Sequence, residues 1–294
     1  MSRKKSEFAK SVIKKNSVND ILALKEKREK IVAITAYDYT TSLICDRAGV
    51  DIILVGDSAG MVMLGQRNTT PTSMHDMLVF CKGVAMGTKR AMVVGDLPFG
   101  SYQPSKEIAM NNAIKFIKKG CDAVKLEGGI ELVDTIKALV SAGIPVMGHL
   151  GLKPQTSSFW NHHKVQARTM ASSLDLIAGA KALDKAGVFS IVLEMVTSEA
   201  ASIISQIVSS AVIGIGSGPG CDGQVLVLHD MLGLYEDISP RFVKRYAKLS
   251  GNIFRAISKY KNEVKCAKFP EDENTFHMNS DEYLKLQENG FESK

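Results

Sequence analysis

Ala91-Met-Val-Val-Gly-Asp-Leu-Pro98 and Ala123-Val-Lys-Leu-Glu-Gly-Gly129 are two short, mostly apolar runs that each break off at a carboxylate. Between them, Pro104–Lys119 carries apolar residues at helical spacing and stops before Gly120. Strand, helix and strand in that order make a parallel βαβ unit, and such units are right-handed. Runs that are apolar at successive positions suit strands buried on both faces of a parallel sheet.

The same alternation extends outward over most of the chain. Further strand-like runs are Ile31–Ala36, Asp51–Gly56, Pro145–Gly148, Phe189–Leu193, Val212–Ile215 and Val225–Leu228; with Ala91–Gly95 and Ala123–Leu126 they make eight. Helical stretches lie at Tyr39–Ala48, Ser73–Met86, Ile130–Ala142, Ser172–Ala186 and Thr197–Val208, most of them halted by a glycine. Eight units predict a single (β/α)8 TIM barrel, with a doubly wound open sheet as the competing topology. Residues 1–30 read as a leading helix over the barrel bottom, 31–270 as the barrel and 271–294 as a polar tail. An amphipathic helix at Arg241–Val264 closes the barrel segment.

Composition narrows the class. The 294 residues are 45% hydrophobic and 23% charged, with 24 Gly and 8 Pro, which excludes a disordered or collagen-like chain. The net charge of +6 comes from basic residues gathered toward both ends, with few aromatics among them. That pattern reads as solvated helix faces rather than a nucleic-acid groove, so no nucleic-acid partner is expected. Cys45, Cys81, Cys121, Cys221 and Cys266 are odd in number and widely spaced, as in a reduced, cytoplasmic protein. No apolar run is long enough for a membrane helix, and the Lys-rich N-terminus lacks a signal core.

The strand ends carry the chemistry. In a barrel they converge at the C-terminal mouth, where active sites are built. Asp57, Asp96 and Glu127 end strands two, three and four. Three neighbouring carboxylates suit a hard divalent cation such as Mg²⁺, and the alternative is helix capping and ion pairs. Lys125 shares a strand face with Glu127. It fits a substrate carboxylate, an enolate or a Schiff base, or else simply pairs with Asp96 or Glu127. Glu194 ends strand six after Ile191-Val-Leu193, where desolvation would raise its pKa toward that of a general base; its alternative is a helix cap. Gly214-Ile-Gly-Ser-Gly-Pro-Gly220 follows strand seven and is broken by Pro219, so it is not a dinucleotide fingerprint; a tight turn or a phosphate site remains. His162, His163 and His229 could serve as ligands, but histidines in loops are mostly solvated or hydrogen-bonded, and they are read so here.

Eight motifs in order carry a family resemblance: Ile34-Thr-Ala-Tyr-Asp38, Val55-Gly-Asp-Ser58, Gly95-Asp-Leu-Pro98, Val124-Lys-Leu-Glu-Gly-Gly129, Gly148-His-Leu-Gly-Leu152, Lys164-Val-Gln166, Leu193-Glu194 and Asp222-Gly-Gln224. From about Ile31 to His277 the chain resembles the ketopantoate (3-methyl-2-oxobutanoate) hydroxymethyltransferases. The resemblance implies a barrel of the phosphoenolpyruvate/pyruvate type. It implies Mg²⁺-dependent transfer of a hydroxymethyl group from 5,10-methylenetetrahydrofolate to 3-methyl-2-oxobutanoate, giving 2-dehydropantoate on the way to pantothenate. It also implies a cytoplasmic homo-oligomer, typically a homodecamer, acting on small molecules. Carried over by position, Asp57 and Asp96 look like Mg²⁺ ligands beside the keto acid, and Glu127 like a further metal-site carboxylate. Ser58 and Lys125 look like contacts to the keto acid carboxylate, Glu194 like the general base, and His149 like a supporting polar group. In that scheme carbon 3, once deprotonated, attacks the donor's methylene carbon in its iminium form.

The chain departs from the family pattern at Gln66-Arg-Asn-Thr69, at Ala167-Arg168, and at Ser217, where Gly-Ala-Gly is usual. Two other readings stay open. One is a Mg²⁺-dependent lyase or mutase of 2-oxo acids on the same barrel, though no matching Cys-containing loop motif is present. The other is a barrel that binds a metabolite without turning it over.

Overall fold

The computed structural model describes residues 14–160, 164–236 and 240–290. Its eight strands are β1 (Ile31–Thr35), β2 (Ile52–Val55), β3 (Met92–Asp96), β4 (Ala123–Glu127), β5 (Val146–Gly151), β6 (Ser190–Glu194), β7 (Ala211–Ile215) and β8 (Gly223–Leu226). They pair in sequence order, all in parallel, and β8 returns to β1 to close a barrel. The open-sheet alternative is thereby excluded.

Period-2 alternation sorts each strand into two cores. Inward side chains such as Ala33, Leu54, Val94, Met147, Val192 and Ile213 fill the barrel. Outward ones such as Ile53, Val93, Val124 and Leu193 pack under the surrounding helices. The main covering helices are α2 (Tyr39–Ala48), α4 (Met74–Gly87), α5 (Lys106–Lys118), α6 (Val133–Ser141), α8 (Met170–Ala186) and α9 (Ser198–Ile207); short helices α3 (Ala59–Val62), α7 (Pro154–Trp160) and α10 (Leu228–Leu232) follow β2, β5 and β8.

The helix ends follow local chemistry. Asp38 caps α2 through Thr41 N–H, and Ser73 with Asp76 forms a capping box on α4. Gly49 and Gly187 end their helices in the left-handed conformation. Gly87, expected as a stop, is instead the last residue of α4. A Cβ there would overlap Ser42 Oγ and Tyr39 O, so its absence lets α2 and α4 touch.

The leading helix is α1 (Val18–Glu26), with Ile21 wholly buried in the core inside the barrel. Lys25 and Lys30, expected on a solvated face, instead satisfy backbone carbonyls. Lys25 Nζ donates to Ser205 O, Val208 O and Ser210 O and pairs with Asp222 at 2.9 Å. Lys30 Nζ donates to Pro219 O and Cys221 O. The basic residues before Lys14, and His162 and His163, lie outside the described residues.

The chain divides into two compact units, residues 1–246 and 247–294. The boundary expected at residue 270 falls inside the second. That unit holds α11 (Leu249–Lys265), where the amphipathic helix was expected, and α12 (Ser280–Gly290) within the segment read as a polar tail. Neither helix has a buried residue. Among the described residues no helix is long and apolar enough to cross a membrane.

Candidate active site

The site is one more inward-facing layer of the barrel. Below it the inward positions of β3, β4 and β5 are Val94, Ala123 and Met147; two residues on, they become Asp96, Lys125 and His149, and Glu127 follows on β4. Register then decides who meets whom. Asp96 lies opposite Lys125, and Glu127 opposite His149. Gly151, the next inward position on β5, lies opposite Glu194.

The result is a continuous polar chain across five strand ends. Asp57 N–H donates to Asp96 Oδ2 at 3.2 Å, and Lys125 Nζ donates to the same oxygen at 2.6 Å. Lys125 Nζ is 3.9 Å from Glu127 Oε1. His149 stands between two carboxylates, Nδ1 3.3 Å from Glu127 Oε1 and Nε2 3.3 Å from Glu194 Oε2, without the alignment of a hydrogen bond. Six of the seven expected residues are therefore together. Ser58 is the exception: its hydroxyl pairs with Tyr37 Oη at 2.8 Å. The apolar wall expected around Glu194 is not its nearest partner, because Leu193 points into the outer core and His149 faces the carboxylate.

Burial makes these charges interdependent. Asp96 and Lys125 are 1% and 3% exposed. Burial, then Asp96 and Glu127, hold the Asp57 carboxyl well above the usual range, with Lys125 opposing. Burial also raises Asp96, helped by Glu127, although Lys125 pulls the other way. Three carboxylates share one ammonium, so burial alone would discharge Lys125, yet Asp96, Glu127 and Asp57 push it above its ordinary value. Burial would raise Glu127, but His149, Lys125 and the Gln155 N–H outweigh it and hold it low. Burial and Lys125 oppose the His149 cation, but Glu127 and Glu194 prevail and raise it to about 9.

Two neutral residues missing from the sequence reading support this chain. Gln155, fully buried at the start of α7, donates N–H to Glu127 Oε2 at 3.1 Å and Nε2–H to Leu97 O at 2.9 Å. Tyr102 Oη donates to Gln155 Oε1 at 2.8 Å and accepts Glu127 N–H at 3.2 Å. Neither titrates near neutral pH, so neither stood out; the available signal was Gln155's place three residues after the Gly148–Leu152 motif.

The site's fit to a divalent cation can be tested on its orphan atoms. Asp57 Oδ2, Asp96 Oδ1 and Glu127 Oε1 are buried without a hydrogen-bond partner among the described residues. Such atoms are costly unless something else meets them. Among the described residues no group of three or more His, Cys, Asp and Glu side chains forms a ready metal cage. Mg²⁺ does not need one, since it uses one or two carboxylates plus water and substrate oxygens. The residues fit such an ion.

The sequence profile described as ketopantoate hydroxymethyltransferase matches residues 15–272. The chain belongs to that family. It is accordingly an enzyme, a hydroxymethyltransferase. The 3-methyl-2-oxobutanoate hydroxymethyltransferase of Nitrosopumilus maritimus is 54% identical over 92% of this chain and 98% of its own length. That of Desulfotalea psychrophila is 47% identical over 91% and 96%. Among solved structures, phosphonopyruvate hydrolase in complex with oxalate and Mg²⁺ superposes with a TM-score of 0.58 at 11% identity, over 94% of this chain and 96% of that one. 2,3-Dimethylmalate lyase, of the phosphoenolpyruvate mutase/isocitrate lyase superfamily, gives 0.55 at 16%, over 93% and 98%. At those identities the likeness establishes the barrel type alone.

Proposed function

We propose that this enzyme transfers a hydroxymethyl group from 5,10-methylenetetrahydrofolate to 3-methyl-2-oxobutanoate, giving 2-dehydropantoate. One observation carries the reading: the polar chain from Asp57 to Glu194 joins a cation-seeking carboxylate cluster to a carboxylate suited to proton removal. Asp57 and Asp96 would hold a Mg²⁺ ion directly, with Glu127 beside it. When bound, the ion supplies Lewis acidity toward the keto oxygen.

The remaining work belongs to the chain. Lys125 binds the substrate carboxylate, and Asp96 orients Lys125 for it; Ser58 would join by turning its hydroxyl from Tyr37 Oη. Glu194 takes the proton from carbon 3. His149, cationic between Glu127 and Glu194, fixes the direction of the Glu194 carboxylate. Carbon 3 then bonds to the donor's methylene carbon. Atom balance requires one water: both methylene C–N bonds break, and carbon 3 and a water-derived hydroxyl take their places. The two donor nitrogens gain the carbon 3 proton and a proton from water. No protein nucleophile is needed. Four of the five cysteines, Cys45, Cys81, Cys121 and Cys221, are buried in the packed core, which disfavours each of them as the acid/base thiol of a lyase or mutase.

We also infer a cytoplasmic homo-oligomer, decameric by family likeness. An open apolar cavity of about 370 Å³ outside β1 and β8, lined by Ile34, Ile44, Leu226 and Met231, supports association; light scattering of the purified protein measures the size.

Proton NMR of 3-methyl-2-oxobutanoate in D₂O tests the reaction, with Mg²⁺ or with EDTA and then with the folate donor. Metal-dependent loss of the carbon 3 proton, followed by 2-dehydropantoate, is expected. Exchange without product would replace the donor, and no exchange at all would sink the chemistry. Glu194→Gln should bind the keto acid without exchanging it; near-normal exchange by that variant would remove Glu194 from the base role.

A further inference from the structure

The chain turns sharply just beyond Glu194. Met195 adopts φ +49°, a left-handed conformation that an L side chain takes up at a cost of about 1–3 kcal/mol. Such an outlier persists only where its surroundings hold it. Here three segments do so. Leu152 N–H donates to Glu194 O at 2.8 Å, Met195 N–H to Ile215 O at 2.9 Å, and Gln166 N–H to Met195 O at 2.7 Å.

The fourth restraint is a side chain. Ser217 follows β7, is 1% exposed, and has left-handed glycines on both sides. Its hydroxyl donates to Leu193 O at 2.8 Å and accepts Val196 N–H at 3.1 Å. One oxygen thus ties the residue before Glu194 to the second residue after it, across the strained turn. An alanine here would have no atom to make either bond.

We infer that Ser217 is a positioning residue for Glu194, its hydroxyl bridging the two sides of the turn that the backbone bonds hold. The inference rests on the reading of Glu194 as the base. Ser217 touches neither Lys125 nor Asp57 nor Asp96, so its influence belongs to proton removal and not to holding the keto acid.

Ser217→Ala and Ser217→Thr test it, with carbon 3 exchange in D₂O giving kcat and KM, and a thermal melt confirming that each variant is folded. The alanine variant should lose about tenfold in exchange kcat, as a misplaced reacting group does. Its KM for the keto acid should stay within about twofold of the parent. The threonine variant keeps the oxygen and should recover most of the loss. A merely structural serine would lower the melting temperature while the folded enzyme kept its kcat. Parent-like exchange in folded Ser217→Ala would overturn the inference, as would a rise in KM that accounts for the whole effect, or equal losses in folded alanine and threonine variants. Should the threonine variant not fold, the alanine kcat and KM decide alone. Failure of the Glu194 reading is distinguishable, because it shows as exchange by Glu194→Gln in an otherwise unaltered chain.

Discussion

Lys125→Met removes the ammonium that three buried carboxylates share while keeping an unbranched stem of similar length. In the parent, Lys125 Nζ lies 2.6 Å from Asp96 Oδ2 and 3.9 Å from Glu127 Oε1. At an effective dielectric constant of about 20 these separations correspond to attractions of about 6 and about 4 kcal/mol. Desolvation of the lysine takes back a large part, and removing one partner of a buried pair costs about 3–5 kcal/mol net. For a chain of this size that lowers the melting temperature by about 10 °C. The pH dependence has a definite sign. Lys125 is raised above its ordinary value, so its contribution is complete below about pH 10 and does not fade between pH 5 and 8 in the parent. In the variant, Asp57 and Asp96, already held high by burial, rise further. A carboxyl whose folded pKa exceeds its unfolded value makes stability fall as pH rises between the two. The deficit should therefore be largest at pH 8 and shrink toward pH 5. Urea and thermal unfolding in EDTA at both pH values measure it. Equal stability of parent and variant at pH 8, or a deficit of constant size, would refute the argument.

Lys25→Met should cost about 2–3 kcal/mol in urea unfolding, since it strands the carbonyls of Ser205, Val208 and Ser210, while kcat stays unchanged because α1 sits at the opposite end of the barrel from the site. Gly151→Ala should suppress carbon 3 exchange by at least about tenfold with keto acid binding retained by calorimetry: φ is +91° and the new Cβ would overlap Glu194 O. Asp46 accepts N–H bonds from Lys89, Arg90 and Ala91, and these outweigh its burial to hold the carboxyl below its usual range. Its stabilisation is present above about pH 4 and lost as pH falls through the folded value, so Asp46→Asn should cost about 1–3 kcal/mol at pH 7 and flatten the acid limb of the stability curve.

The barrel was legible because its signals are local. Each strand run is short and mostly apolar, most are followed by a helix with a cap or a glycine stop, and α2 falls on Tyr39–Ala48 as read. What escaped depends on distant partners. Lys25 sits among basic residues that look like a solvated face, and nothing nearby announces carbonyls some 180 residues away. Gly87 reads as a helix stop until Ser42 is seen against it. Tyr102 and Gln155 are neutral, and a search for titratable groups at strand ends passes over them; Ser217 stood out by its place after β7, but its two bonds across the Glu194 turn did not.

The charged residues of the site were legible for a different reason. Positions that face the barrel interior recur every second residue, so the parity that makes Ala123 a core residue places Lys125 and Glu127 on the same inner face. Register then converts three separate motifs into neighbours, Asp96 beside Lys125 and Glu127 beside His149. A slip of one residue in β4 would send both charged side chains into the apolar layer beneath α5 and α6, and Val124 and Leu126 into the barrel. The apolar pattern of the barrel therefore specifies the geometry of the candidate site. A substitution such as Leu126→Lys, which weakens that register signal from the outer core, should disturb the site as well as the fold, although Leu126 itself faces away from it. Comparing keto acid affinity in Leu126→Lys and in Leu126→Met, with folding verified for both, tests this: the methionine variant should bind as the parent does, and any folded lysine variant should not. A folded lysine variant with parental affinity would show that the site does not depend on the strand's outer face.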